Sequence, residues 1–295
     1  MPRKVSLFRF LLLFIIFISS ITCKNNNAPI KEKSLNLSPA KITQSNAPII
    51  DLSGAWGPDI PVQGYDSSRH RQKIKAIKKR NYNLVLIGNS IIHTLGEFGG
   101  KYKPLQKVWM KHFAPRNAIN LGYSGYRTEN ILWNLQNGEL DFKTSPKVII
   151  LLIGTNNADN RHFKLAHNAE QIFTGTKAIV ELIHKRHPTT KILIMRIFPR
   201  GGDNEKGVGK GVIHSSDSCI NSCMKAGLLT NSLADNKYIY WIDVGNIFLT
   251  PNGTINTKLM PDLLHPNAAG AEAWVEAIEL TLSKLLGDKP IRCSK

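Results

Sequence analysis

Acidic residues are scarce in this chain. Its 295 residues hold 21 Asp and Glu against 39 Lys and Arg, a formal net charge of +18. That imbalance suits anionic contacts such as polysaccharide, lipid head groups or nucleic acid. No nucleic-acid-binding motif accompanies the charge, so nucleic acid is not expected as a partner. Cysteine is scarce too. Cys23, Cys219, Cys223 and Cys293 offer no second pair at zinc-ligand spacing, which argues against a structural metal. Two of the last three could join in an oxidising compartment; free thiols are the alternative. Long apolar runs are also missing. The run Phe10–Phe17 is shorter than the roughly 20 residues that a membrane helix needs. No internal repeat marks a solenoid or propeller.

What the short run does suit is a leader. Arg3, Lys4 and Arg9 stand before it, and small polar residues lead on to Cys23; this is the pattern of a secretory signal, with a signal-anchor as the alternative. The position of Cys23 is similar to that of the lipidated cysteine of bacterial lipoproteins, although Ser20 and Thr22 depart from the usual lipobox. Lipidation and simple cleavage both stand. The expectation is an exported protein: secreted, periplasmic or lipid-anchored. Residues 24–80 read as a tether and basic entry segment, too polar in their first half to build a core. Within it, Arg69, Arg71, Lys73, Lys75, Lys78, Lys79 and Arg80 form either a solvated helix face or a contact for an anionic polysaccharide or membrane surface. Residues 81–288 form the expected catalytic domain, and 289–295 a tail.

In that domain, short apolar runs alternate with helical spacing. Strands are expected at Leu84–Gly88, Ala118–Leu121, Lys147–Ile153, Lys191–Phe198 and Tyr238–Val244. Helices are expected at Arg69–Arg80, Leu105–Phe113, Thr128–Gln136, Leu165–Lys185, part of Ile213–Leu233, and Ala268–Leu286. Strands separated by helices imply βαβ units and an α/β domain with a parallel five-stranded sheet. The glycine-rich stretch Gly207–Gly211 lacks the Ser or Thr and the upstream spacing of a phosphate-binding loop.

Strand ends carry the unusual residues. The first strand stops on Gly88-Asn89-Ser90, the second runs into Asn120-Leu121-Gly122-Tyr123-Ser124-Gly125, and the third stops on Gly154-Thr155-Asn156-Asn157. Asp262-Leu263-Leu264-His265-Pro266 precedes the last helix. Acyl transfer needs these residue types. A serine hydroxyl is a weak nucleophile, so an imidazole must take its proton and a carboxylate must orient that imidazole. Ser90, His265 and Asp262 supply the three, with Asp243 as a rival acid that lacks the close spacing to His265. The oxyanion would face the backbone N–H groups of Ser90 and Gly122 and the side-chain amide of Asn156. His93 and Arg127 are weaker candidates for the pocket wall. Trp109 and Trp133 read as core rather than as sugar platforms.

These blocks resemble those of the SGNH (GDSL-like) hydrolases. Asn120-Leu121-Gly122, Ile131 to Leu140 and Pro146 to Asn157 are similar to the platelet-activating-factor acetylhydrolase catalytic-subunit branch in particular. The resemblance spans roughly residues 83–286. It implies a three-layer flavodoxin-like α/β/α domain, Ser90 as nucleophile, Gly122 and Asn156 in the oxyanion hole, an Asp262/His265 pair, and no metal or other cofactor. Asn89 stands where the family usually has aspartate, and a local hydrogen-bonding role is expected of it. The expected function is hydrolysis of small acyl esters, acetyl esters above all, on a carbohydrate. A lipid ester, acyl transfer on the same residues, and carbohydrate binding without turnover are the alternatives.

Overall fold

The computed structural model describes residues 57–96, 102–209 and 211–291. Cys23, Cys293, Trp56 and the leader lie outside them. Five strands, β1 (Leu84–Gly88), β2 (Ala118–Gly122), β3 (Val148–Leu152), β4 (Lys191–Met195) and β5 (Ile239–Ile242), form one parallel sheet in the order β2-β1-β3-β4-β5. Seven helices surround it: α1 (Ser67–Lys79), α2 (Ser90–Leu95), α3 (Lys103–His112), α4 (Thr128–Asn134), α5 (Ala169–Arg186), α6 (Asp217–Leu229) and α7 (Ala268–Leu286).

The period of two in the strands divides the core. Leu84 and Leu86 of β1, with Val148 and Ile150 of β3, pack against α3 and α7 through Trp109, Phe113 and Trp274. Val85 and Ile87, with Ile149 and Leu151, face the other way, onto Ile77 of α1, Ile131 of α4 and Ile179 of α5. Every residue of β1, β2 and β3 is buried, as a strand covered on both faces requires. The result is the three-layer α/β/α fold expected, with the strand order of the flavodoxin-like class.

The chain leaves β1 toward β2 on one side and returns to β3 on the other. The carboxyl ends of β1 and β3 therefore flank the switch point, where open α/β sheets bind their ligands. Ser90 follows one of these ends and Asn156 the other.

Several boundaries differ from the sequence reading. The catalytic unit does not begin at 81. Ile77 of α1 is fully buried, His70 Nδ1 lies 2.9 Å from Glu139 Oε1, and the Asp66 N–H donates to Tyr126 Oη at 2.9 Å. Arg71, Lys75, Lys78, Lys79 and Arg80 do form an exposed basic face. Arg69 does not join them: its Nε donates to the Gly122 carbonyl at 2.9 Å and its Nη2 to Asn120 Oδ1 at 3.2 Å. The tail is tied down as far as Ile291, whose N–H donates to Glu279 Oε1 at 2.7 Å. Helix α5 starts at Ala169 rather than at Leu165, because Asn168 and Gln171 cap it reciprocally at 2.9 and 3.0 Å. Cys219 and Cys223 are buried free thiols on α6.

Candidate active site

Ser90 stands where β1 stops and α2 begins. Asn89 makes this junction. Its Oδ1 accepts the Ile91 N–H at 3.0 Å and caps the helix, a bond that an amide oxygen makes as readily as a carboxylate. Ser90 Oγ lies 2.8 Å from His265 Nε2. His265 Nδ1 lies 2.7 Å from Asp262 Oδ2. The other carboxylate oxygen accepts the N–H groups of Leu264 and His265 at 3.0 and 2.7 Å, so both oxygens of Asp262 are fixed.

The turn that brings Asp262 to His265 is strained. Leu263 has φ +70°, a left-handed conformation that costs a non-glycine residue on the order of 1–3 kcal/mol. Its fully buried side chain offsets this, as do two backbone bonds, from the Leu263 N–H to the Met260 carbonyl and from the Gly201 N–H to the Leu263 carbonyl. Burial pushes the Asp262 carboxyl up. The hydrogen bonds from the His265 ring and from the two backbone N–H groups outweigh it and hold the group below the usual carboxylate range. An ionised Asp262 keeps the proton on His265 Nδ1, which leaves the Nε2 lone pair facing Ser90.

These residues open on a cavity of about 700 Å³, within the span of small-molecule sites. Ser124, Gly125 and Asn156 line it beside Ser90, Asp262 and His265. Asn156 donates one amide hydrogen to the Tyr126 carbonyl at 2.9 Å; the amide carries a second.

Gly122 is elsewhere. Its N–H is taken by Asn120 Oδ1 at 2.8 Å and its carbonyl by Arg69. A Cβ at this position would meet the His93 backbone nitrogen at 2.3 Å. Gly122 therefore allows α2 to approach β2, and it is not an oxyanion donor. The glycine of this block that lines the cavity is Gly125, with φ +75°, a conformation that favours glycine. No hydrogen bond among the described residues takes its N–H. The sequence signal was a second glycine in the same block.

Among the described residues neither His93 nor Arg127 lines the cavity. His93 Nδ1 accepts the Ser124 N–H at 3.0 Å and steadies the turn that carries Gly125. Arg127 is buried, 2.8 Å from Glu129 Oε1 and 2.7 Å from the Leu165 carbonyl. Asp243 pairs with Arg196 at 2.5 Å, away from His265. Trp109 is core, and Trp133 packs on His70. The glycine-rich segment after β4 brings Val208, Gly211 and Ile213 to the cavity wall. Sequence reasoning also missed Arg200. Its guanidinium bonds the Thr155 carbonyl at 3.0 Å, Ser215 Oγ at 2.5 Å and Asp159 Oδ2 at 3.0 Å, tying that segment to the exit of β3.

Residues 86–215 match the family model of the GDSL-like lipase/acylhydrolase family. Over these residues the chain is similar to the GDSL-like acylhydrolases. The chain is 29% identical over 231 residues to platelet-activating factor acetylhydrolase IB subunit alpha2 of Rattus norvegicus, covering 78% of this chain and 89% of that one. Among solved structures, a GDSL-like lipase from Bacteroides thetaiotaomicron superposes with a TM-score of 0.57 at 17% identity, over 74% of this chain and 98% of that one. A carbohydrate acetylesterase family member from Sinorhizobium meliloti superposes at 0.51 and 18%, over 70% and 99%. These two likenesses show the fold.

Proposed function

We propose that this domain is a serine esterase that cleaves small acyl esters, acetyl esters first among them, through an acyl-enzyme on Ser90. The observation that carries the reading is the continuous Ser90–His265–Asp262 hydrogen-bond chain on the cavity wall. Ser90 Oγ attacks the ester carbonyl carbon and passes its proton to His265 Nε2. The oxyanion is met by the N–H groups of Ser90 and Gly125 and by the Asn156 amide. The C–O bond then breaks, and the alcohol departs with the proton from His265. Water attacks the acyl carbon and gives a proton to His265; the bond from that carbon to Ser90 Oγ then breaks, His265 returns the proton to Oγ, and the carboxylic acid leaves.

The name of the acetylhydrolase relative supports acetyl as the acyl group. An O-acetylated carbohydrate is the alcohol side we favour, because polar groups and apolar walls share the cavity. A second reading, a lipid ester, draws on Tyr102, Leu105, Phe163, Val208, Ile213 and Leu264, which give the cavity an apolar side. Export rests on the leader read in residues 1–23. A native protein whose N-terminus lies at 23 or 24 supports it, and a protein found inside the cell with its leader intact overturns it.

The test compares p-nitrophenyl acetate and octanoate on wild type and Ser90→Ala. Turnover of acetate above octanoate, reduced by at least about 10³-fold in the variant, is the expected result. Octanoate preference that is lost in the variant selects the lipid reading. Equal rates in wild type and Ser90→Ala remove the serine-esterase assignment.

A further inference from the structure

A second Asp-x-x-His unit lines the same cavity. Asp159 and His162, in the loop after β3, reproduce the Asp262–His265 geometry contact for contact. Asp159 Oδ1 accepts the N–H groups of Arg161 and His162 at 3.0 and 3.1 Å, and Oδ2 lies 2.9 Å from His162 Nδ1. Both residues belong to the cavity lining. Asp159 is buried, and its Oδ2 also accepts from Arg200 Nη2 at 3.0 Å. Arg200 is itself 3% exposed and anchored on Thr155 and Ser215. A carboxylate held in this way keeps the proton on His162 Nδ1 and leaves Nε2 as an acceptor.

The two units differ in what their Nε2 atoms meet. That of His265 faces Ser90 Oγ. That of His162 has no hydrogen-bond partner among the described residues, and its side chain is 57% exposed. A nucleophile is missing here, so a second catalytic centre does not follow. What remains is an oriented acceptor at the mouth of the ester site. Holding the ring in advance removes part of the entropy that a free surface histidine would lose on meeting a ligand.

We propose that His162 is a specificity residue whose Nε2 accepts a hydrogen bond from a free hydroxyl on the alcohol part of the ester, so that partly acetylated, polyhydroxylated alcohols are preferred. The proposal rests on the serine-esterase reading and names the substrate class for that site.

The test uses two glycosides, a mono-O-acetylated methyl xyloside with free hydroxyls and its fully acetylated counterpart, with the purified protein, His162→Ala, His162→Gln and Ser90→Ala. In His162→Ala the ratio of kcat/KM for the first substrate over the second falls roughly three- to tenfold, the worth of one hydrogen bond. The loss sits mainly in KM, and His162→Gln, whose amide oxygen also accepts, recovers part of it. An unchanged ratio in His162→Ala overturns the proposal, as do equal losses on both glycosides. Failure of the esterase reading shows separately, as hydrolysis that persists in Ser90→Ala.

Discussion

Gly122 and Gly125 stand three residues apart and answer different demands. A methyl group at Gly122 would press on the backbone of His93, so Gly122→Ala should act on stability. We expect a loss of about 1–3 kcal/mol, the usual cost of overpacking, read as a lower urea midpoint. Asn156→Ala should act on rate instead. Losing one oxyanion donor lowers kcat about 10²–10³-fold, while KM for p-nitrophenyl acetate changes little. A Gly122→Ala protein that is as stable as wild type but catalytically dead would reverse the two assignments. Residue type alone could not separate these glycines: Gly122 ends β2 and Gly125 follows three residues on, and only the backbone shows which one needs close approach and which one needs a positive φ. That Ser90, Asp262 and His265 come together in the fold could be foreseen, because a serine at a strand end and a closely spaced Asp-x-x-His pair are residue types that acyl transfer requires. The roles of Arg69 and Arg200 could not, because the groups that neutralise or bond them lie far away in sequence.

At the scale of elements, a buried ion pair seats α7, the helix that follows His265. Arg116, in the turn before β2, donates to both oxygens of Glu279 on α7 at 2.9 and 2.6 Å, and its Nε to Asp288 at 3.0 Å. Removing the arginine leaves a buried carboxylate without its partner, so Arg116→Met should cost about 3–5 kcal/mol. Burial pushes the Glu279 carboxyl up, but Arg116 and the Ile291 N–H outweigh it and hold the group below its ordinary value. A depressed carboxylate stabilises the fold fully above its unfolded pKa of about 4.3 and loses that contribution as pH falls through the lower folded value. The gap in urea midpoint between wild type and Arg116→Met should therefore narrow below about pH 4.3. A gap that stays constant down to the acid limit of folding would contradict the pairing. Elements of strong period were readable to the residue, as β1 and α7 show. Helix α1 was placed outside the domain because its basic residues dominate the pattern, while the contacts that dock it, through His70, Ile77 and Asp66, are few and distant in sequence.

At the scale of the whole molecule, the strand order does the assembling. Ser90 and Asn156, far apart in the chain, meet because β1 and β3 are neighbours at the switch point, and the loop before α7 brings His265 to the same cavity. The alternation of strands and helices made this edge foreseeable. The turn geometry within it, including the second Asp-x-x-His unit, was not, because loops carry little periodicity. The central claim is that Ser90 is a nucleophile activated by His265. The most direct measurement is mass spectrometry of the protein after reaction with a fluorophosphonate. A single adduct is expected on the peptide that contains Ser90, formed much more slowly in His265→Ala and absent in Ser90→Ala. An adduct on another residue, or undiminished labelling of Ser90→Ala, would contradict it.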